Sequence, residues 1–438
     1  MSKRLLQYAA IALFTLSAAG AAAHGDTPLP ESFTGAPGGS SGWVLKANFG
    51  VITSDQPCHL VCEEAFGGGD RFSIAAYGLD EWVLFTDDRI VRTDDGCNFE
   101  EVRKNSDNAA DWAMHRPSGK LAFFINDGSD KGIWMSTDRG KSFSRMEVEK
   151  PDLTLTTLQF TGDGRLFVAG YVPSTDPSSQ AADGRFFFAD KPGEVTEVSA
   201  YEYPQLLASH GDKILWLGRS SEGQELVLGR VDQPVGSTKS VEAWPSGATF
   251  SEDGTEIWVS GVEKESRGFL HGTLDGENVS WELRHSGHSA LCVGYGRDDL
   301  HVCGKNAREG FDLQRRTGSG ELEGLVNFEQ LAGPRQNCPE GSDVATTCPA
   351  VWSELAKSLD IDPDGSSGGS CDSPAGGGPD AGGEADAGGG DATGGSATGS
   401  SCSTHGGGPA GGLFALIVVV GLLGRRLRAS QPLSRPKT

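Results

Sequence analysis

Four segments decide how this chain folds: Leu166-Phe-Val-Ala-Gly170, Ile214-Leu-Trp-Leu-Gly218, Ile257-Trp-Val-Ser-Gly261 and Leu300-His-Val-Cys-Gly304. They align without gaps at spacings of 48, 43 and 43 residues. A Gly/Asp turn precedes each one: GDGR at 162–165, GDK at 211–213, EDGTE at 252–256 and GRDD at 296–299. Less regular relatives stand upstream, KLAFF at 120–124, EWVLF at 81–85 and GWVLKANF at 42–49. Short apolar runs cut by such turns, with almost no helical periodicity, read as strands. Seven units of 40 to 48 residues therefore run through the chain. Repeats of that length built from short strands are the mark of four-stranded propeller blades. The predicted fold is all-β, a seven-bladed propeller over residues 41–335, preceded by an extension at 24–40.

The remaining sequence bounds the function. The chain has 438 residues, with Lys+Arg 37 against Asp+Glu 60 and a formal net charge of -23. Such a chain has no long-range attraction for phosphate backbones, so no nucleic-acid partner is expected. Glycine, at 63 residues, is about twice its ordinary share. No Gly-X-Y period runs through it, which excludes collagen.

Both ends carry addresses. Lys3 and Arg4 precede an apolar stretch at 9–19 and the small residues Ala21-Ala22-Ala23, the pattern of a secretory signal peptide over 1–23. Cleavage after Ala23 would leave His24 first, and an N-terminal His can brace copper with a second His. No other His in the sequence has a context that supports the pair. At the other end, residues 365–401 hold 14 glycines and no Lys, Arg, Leu, Ile, Val or aromatic residue. A segment of that composition cannot bury apolar surface, so 361–401 is expected to be a disordered linker. Cys402 follows, then GGLFALIVVVGLLG at 411–424, then Arg425, Arg426 and Arg428. As a helix the apolar run rises only ~22 Å, short of a ~30 Å hydrocarbon core.

The order of parts over 402–438 resembles the myxobacterial C-terminal sorting signal (Myxo-CTERM): a Cys among small residues, a short transmembrane helix and an Arg cluster. The resemblance implies export, removal of the helix, and attachment to the cell surface or outer membrane through a modified Cys402. The membrane is then a partner through that anchor.

Eight other cysteines remain, an even set that in an exported protein points to disulfides. No CxxC or paired HxxxH supports zinc. Cys292 and Cys303 lie equidistant from the turn at Arg297-Asp298, so a hairpin would set them opposite each other. Cys338 and Cys348 are expected to close a small loop within an extension at 336–360. Cys58 and Cys97 sit in neighbouring turns and are expected to pair, with Cys62 competing.

Those turns belong to a second motif. Ser136, Asp138, Gly140 and Phe143 form S-x-D-x-G-x-S-F; Asp94, Gly96 and Phe99 keep part of it; Asp55 and Cys58 mark a decayed copy. The motif resembles the Asp-box of the bacterial neuraminidase repeat, found in sialidases and in many propellers that are not enzymes. It implies a tight turn between the outer two strands of a blade, away from the central funnel. Sialidase chemistry also needs an Arg-Ile-Pro motif and a Tyr/Glu nucleophile. The first is absent, Arg116-Pro117 being no substitute, and Tyr201-Glu202-Tyr203 is the one cluster of the second kind.

One cofactor stays open. Asp360, Asp362 and Asp364, followed by Gly365, imitate the opening of a calcium loop after a helix-like stretch at 351–359, although position twelve is Cys371. The chain reads as an exported, surface-anchored propeller that binds a surface glycan or protein without catalysis. A sialidase-like carbohydrate-active hydrolase is the alternative.

Overall fold

The computed structural model describes residues 28–361, short internal stretches apart, together with residues 401 and 402. Among the described residues seven sheets, each built on four consecutive antiparallel strands, cover 30–62, 72–104, 111–146, 154–197, 202–241, 247–289 and 292–326, the fifth gaining Ser401–Cys402 as an added strand. The chain is a seven-bladed propeller. Hydrogen bonds between the first strands of successive blades put those strands innermost: Leu158 N to Asp111 Oδ2 at 3.2 Å, Leu206 N to Thr157 Oγ1 at 2.7 Å and Ser209 Oγ to Phe160 O at 2.6 Å.

The aligned apolar segments are the second strands. Trp43–Ala47, Trp82–Thr86 and the core of Lys213–Ser220 are buried throughout. Both faces of such a strand meet a neighbouring blade, so no position faces water and the run is continuously apolar. Fourth strands such as Glu100–Lys104 and Ser237–Val241 lie at the rim and stay largely exposed and polar. The core consequently sits between blades. Phe85, Trp112 and Phe123 fill one interface; Phe167, Phe186 and Trp216 another; Trp258, Phe269 and Val302 a third. Fully buried Trp82 and Trp216 each remove enough apolar area to stabilise the ring by about 4 kcal/mol.

The ring begins earlier than the repeats suggest. Pro30–Gly35 is the first strand of the first blade, inside the stretch expected to precede the propeller. Its sequence, PESFTG, lacks an apolar run, and its backbone closely approaches the last blade: a Cβ on Gly35 would lie 2.4 Å from the Gly296 Cα of blade seven. The seam between those blades also stacks Phe33 on His301 at 4.4 Å.

Among the described residues no strand is shared between the first and last blades; a C-terminal latch runs from the last to the first instead. Residues 332–335 run parallel to the outermost strand of blade one, with Leu60 N donating to Gly333 O (2.9 Å) and Arg335 N to Leu60 O (3.0 Å). A helix, Asp343–Ser358, follows, capped by the Ser342 hydroxyl accepting from Ala345 N. Its Asp343 carboxylate accepts the Phe99 N–H of blade two at 2.7 Å. Val344, Cys348, Trp352 and Leu355 join the blade-one core.

Two disulfides fasten this latch, Cys62–Cys348 to blade one and Cys97–Cys338 to blade two. The expected pairs Cys338–Cys348 and Cys58–Cys97 are therefore corrected. The helix turns Cys348 into the first blade, while Cys338, ahead of it, meets the second blade's outer turn. Cys58 is disulfide-bonded as well. Cys292 and Cys303 face each other in register and are bonded. Disulfides of this number point to an oxidising, extracellular setting.

Candidate functional site

In several blades the residue that opens the second strand, or stands just before it, reaches across to the next blade. Lys120 Nζ donates to Gly164 O at 2.8 Å, Lys213 Nζ to Gly254 O at 3.0 Å, and Glu81 accepts from Arg139 at 2.8 Å. In blade six that position is Glu256, and its carboxylate organises a cleft against blade seven. Oε2 accepts from Trp258 Nε1, Tyr295 OH and Arg316 Nη1, each at 3.2 Å. His271, opposite Trp258 in the sheet, stacks on it at 4.3 Å and brings Nε2 to 3.6 Å from Glu256. That nitrogen is buried without a hydrogen-bond partner. The guanidinium of Arg316 lies 5.0 Å from the Trp258 ring.

The turn before Glu256 is held by its own side chains. Asp253 accepts from Ser251 Oγ (2.6 Å) and from Thr255 N (3.0 Å) and Oγ1 (2.8 Å), and Gly254 takes φ 67. The Ser251 and Thr255 hydrogen bonds hold the Asp253 carboxyl down to about 2. Burial works to raise the Glu256 carboxyl, but the Trp258 N–H, His271 and Arg316 outweigh it and keep the group below its ordinary value. Burial, then the Glu256 charge, push the Tyr295 phenol above its ordinary value. Burial lowers His271, with Glu256 opposing. At neutral pH the site thus holds a carboxylate, a phenol that keeps its proton, a neutral imidazole and a guanidinium. The open cavity measures about 660 Å³ and is lined by Glu252, Glu256, Tyr295, Asp299, Arg316 and Gly318 among others.

Tyr201-Glu202-Tyr203 does not assemble as a unit. The Tyr201 hydroxyl donates to Glu225 at 3.0 Å, its ring packs on Trp216 at 4.9 Å, and burial followed by Glu225 raises it to about 12. Tyr203, at φ 52, packs instead on Tyr171 at 4.8 Å. Arg116 reaches past blade two, Nη1 donating to Gly35 O at 2.7 Å, and Pro117 sits in a 3-10 turn.

The two motif turns lie between third and fourth strands. In the blade-three turn Asp138 Oδ1 accepts from Ser142 N at 3.0 Å and from Ser136 Oγ at 2.7 Å, Gly140 takes φ 78, and Phe143 packs on Phe123 at 5.1 Å. The blade-two turn is one residue tighter, which moves the work from Asp94 to Asp95. Asp95 Oδ1 accepts from Cys97 N and Asn98 N, both at 2.8 Å, while Asp94 pairs with Arg92. Gly96 takes φ 65 and Phe99 packs on Phe66 at 5.5 Å. The hydroxyl of Thr93, not Arg92, fills the Ser136 role, accepting the Gly96 N–H at 2.8 Å.

Asp360 ends the helix in the left-handed region at φ 59, while Asp362 and Asp364 lie outside the described residues, as do His24, Arg425, Arg426 and Arg428. Among the described residues no group of three His, Cys, Asp or Glu could hold a metal. Residues Ser401–Cys402 pair with the first strand of blade five. No described helix is long and apolar enough to cross a membrane, and the apolar run at 411–424 lies outside the described residues.

No known family's profile matches the chain. No curated protein matches it either. Among solved structures it is similar to a streptogramin B lyase (12% identity, 62% of this chain and 89% of that one, TM-score 0.41). It is likewise similar to YCF48 of Cyanidioschyzon merolae (10% identity, 64% and 93%, TM-score 0.41). A third is TolB of Acinetobacter baumannii (11% identity, 55% and 58%, TM-score 0.37).

Sequence reasoning missed Glu256, Tyr295 and Arg316. Glu256 holds the position that Glu81, Lys120, Arg165 and Lys213 hold in other blades, and its residue type alone does not set it apart.

Proposed function

We propose that this chain is an exported, surface-anchored propeller that binds its ligand and does not turn it over. The observation that carries the reading is what surrounds the Tyr/carboxylate pairs. In Tyr295–Glu256 and in Tyr201–Glu225 the phenol donates to the carboxylate, the contact a nucleophile makes with its base, but sialidase-like chemistry also needs a cationic pocket beside such a pair to hold the substrate carboxylate. Glu256 has one Arg beside it, where sialidase-like chemistry calls for a cluster. The Asp-box resemblance fits turns that brace the blades. The latch and its disulfides suit a domain displayed outside the membrane, with Cys402, followed by Arg425, Arg426 and Arg428, as the anchoring signal.

The test is turnover. Purified protein should release neither sialic acid nor reducing sugar from model glycosides. Release that disappears in Tyr295→Phe or Tyr201→Phe would establish the sialidase-like hydrolase in its place.

A further inference from the structure

We infer that the cleft between blades six and seven binds an uncharged glycan through its hydroxyl groups. The inference rests on reading the chain as a binding protein and assigns that reading a place and a ligand class.

Three features of the cleft select this chemistry. Its volume of about 660 Å³ falls in the range of sites that enclose small ligands, roughly 300–1,000 Å³. Its walls present acceptors and donors side by side: the carboxylates of Glu252, Glu256 and Asp299 against the Arg316 guanidinium, the Tyr295 hydroxyl and Thr317. A sugar hydroxyl both donates and accepts, so neighbouring hydroxyls can bridge such pairs. The charge balance narrows the class further. Glu252, Asp253, Glu256 and Asp299 outnumber Arg316, so phosphorylated, sialylated and uronic ligands are repelled. Three of these carboxylates are already engaged within the protein, Glu256 by Arg316, Asp299 by Arg315 and Asp253 by its own turn, which weakens their pull on a cationic ligand.

An independent observation lies behind that wall. His271 is 9% exposed, and its Nε2 has no hydrogen-bond partner although it stands 3.6 Å from Glu256. A buried polar atom left unpaired is costly, and a ligand hydroxyl that reaches past Glu256 to it would relieve the cost. The Glu256 hydrogen bonds and the self-braced Asp253 turn fix the site before any ligand arrives, which lowers the entropy lost on binding.

Gly318 supplies a clean perturbation. A Cβ there meets nothing within 4 Å, so Gly318→Trp should fill the cleft and leave the Glu256 network intact. The full chain is applied to an array of neutral, amino and acidic oligosaccharides, with a Lys-rich peptide as competitor and released sugar measured alongside. The expected result is binding to neutral glycans, weakened at least tenfold in Gly318→Trp and in Arg316→Ala, with the melting temperature of Gly318→Trp unchanged. Binding only to acidic glycans, displacement by the cationic peptide, no glycan binding, or binding that Gly318→Trp leaves intact would each overturn the inference. Glycan binding that ignores Gly318→Trp would spare the binding reading while removing this site. Sugar release blocked by Gly318→Trp would keep the site and overturn the binding reading.

Discussion

Removing the latch disulfides one at a time and together should produce costs that do not add. Cys62–Cys348 closes a separation of 286 residues and Cys97–Cys338 one of 241. With either bridge intact, the other closes an additional loop of only roughly 45 residues, because both join the same latch to neighbouring blades; loop-closure entropy then gives about 4 kcal/mol for each single removal. Removing both frees the full loop, so the second loss rises to about 5.5 kcal/mol and the pair costs about 9 to 10 kcal/mol. The variants are Cys62→Ala/Cys348→Ala, Cys97→Ala/Cys338→Ala and the fourfold change, all in a Cys58→Ala background because Cys58 is disulfide-bonded too, compared by urea unfolding under oxidising conditions. A cooperative double loss exceeding the sum of the single losses is expected. Single costs under 1 kcal/mol, or a fourfold change no worse than the larger single one, would refute the idea that the latch closes the ring.

Other outcomes follow from particular residues. Burial, aided by Arg315 and opposed by the Asp299 carbonyl, takes His301 from 6.5 to about 4 at the blade-seven to blade-one seam. A depressed imidazole means that the unfolded chain takes the proton first: stability is full above about pH 6.5 and falls by about 3 kcal/mol as pH drops to 4. His301→Phe should flatten that part of a pH–stability profile, and an unchanged slope would contradict the assignment. Gly140→Ala and Gly211→Ala separate strain from collision. Both sites have positive φ, but only at Gly140 would the Cβ meet another side chain, Val83 Cγ2 at 2.4 Å. Gly211→Ala should cost about 1 kcal/mol and Gly140→Ala at least ~2 kcal/mol by thermal unfolding; equal costs would remove the packing role of the blade-three turn. Cys402→Ala should leave the C-terminal segment uncleaved or shed the domain into the medium. Surface retention at wild-type mass would discard the anchor.

How far the sequence could be read depended on where each residue's partner lies. Second strands such as Ile214 to Leu217 are buried on both faces, so their apolar runs and spacing reveal the blades directly. Pro30–Gly35 stayed hidden because it carries no apolar run and, beyond its hairpin partner Trp43–Ala47, its contacts come from a blade some 260 residues away. Cys292 and Cys303 share a hairpin, and a hairpin's register is local. Cys62 and Cys348 do not, and nearness in sequence pointed to the wrong partner for Cys338. The site follows the same rule. Glu256 meets Tyr295 and Arg316, 39 and 60 residues on, through a ring geometry that no local pattern encodes. In the blade-two turn a single missing residue shifted the hydrogen bonds from Asp94 to Asp95, because spacing alone cannot tell which hydroxyl opens the turn.

The most direct test of the latched ring is disulfide mapping of the protein, unreduced, by mass spectrometry of proteolytic peptides. The account predicts Cys62 linked to Cys348, Cys97 to Cys338 and Cys292 to Cys303. A peptide linking Cys338 to Cys348, or free thiols at Cys62 and Cys97, would contradict it.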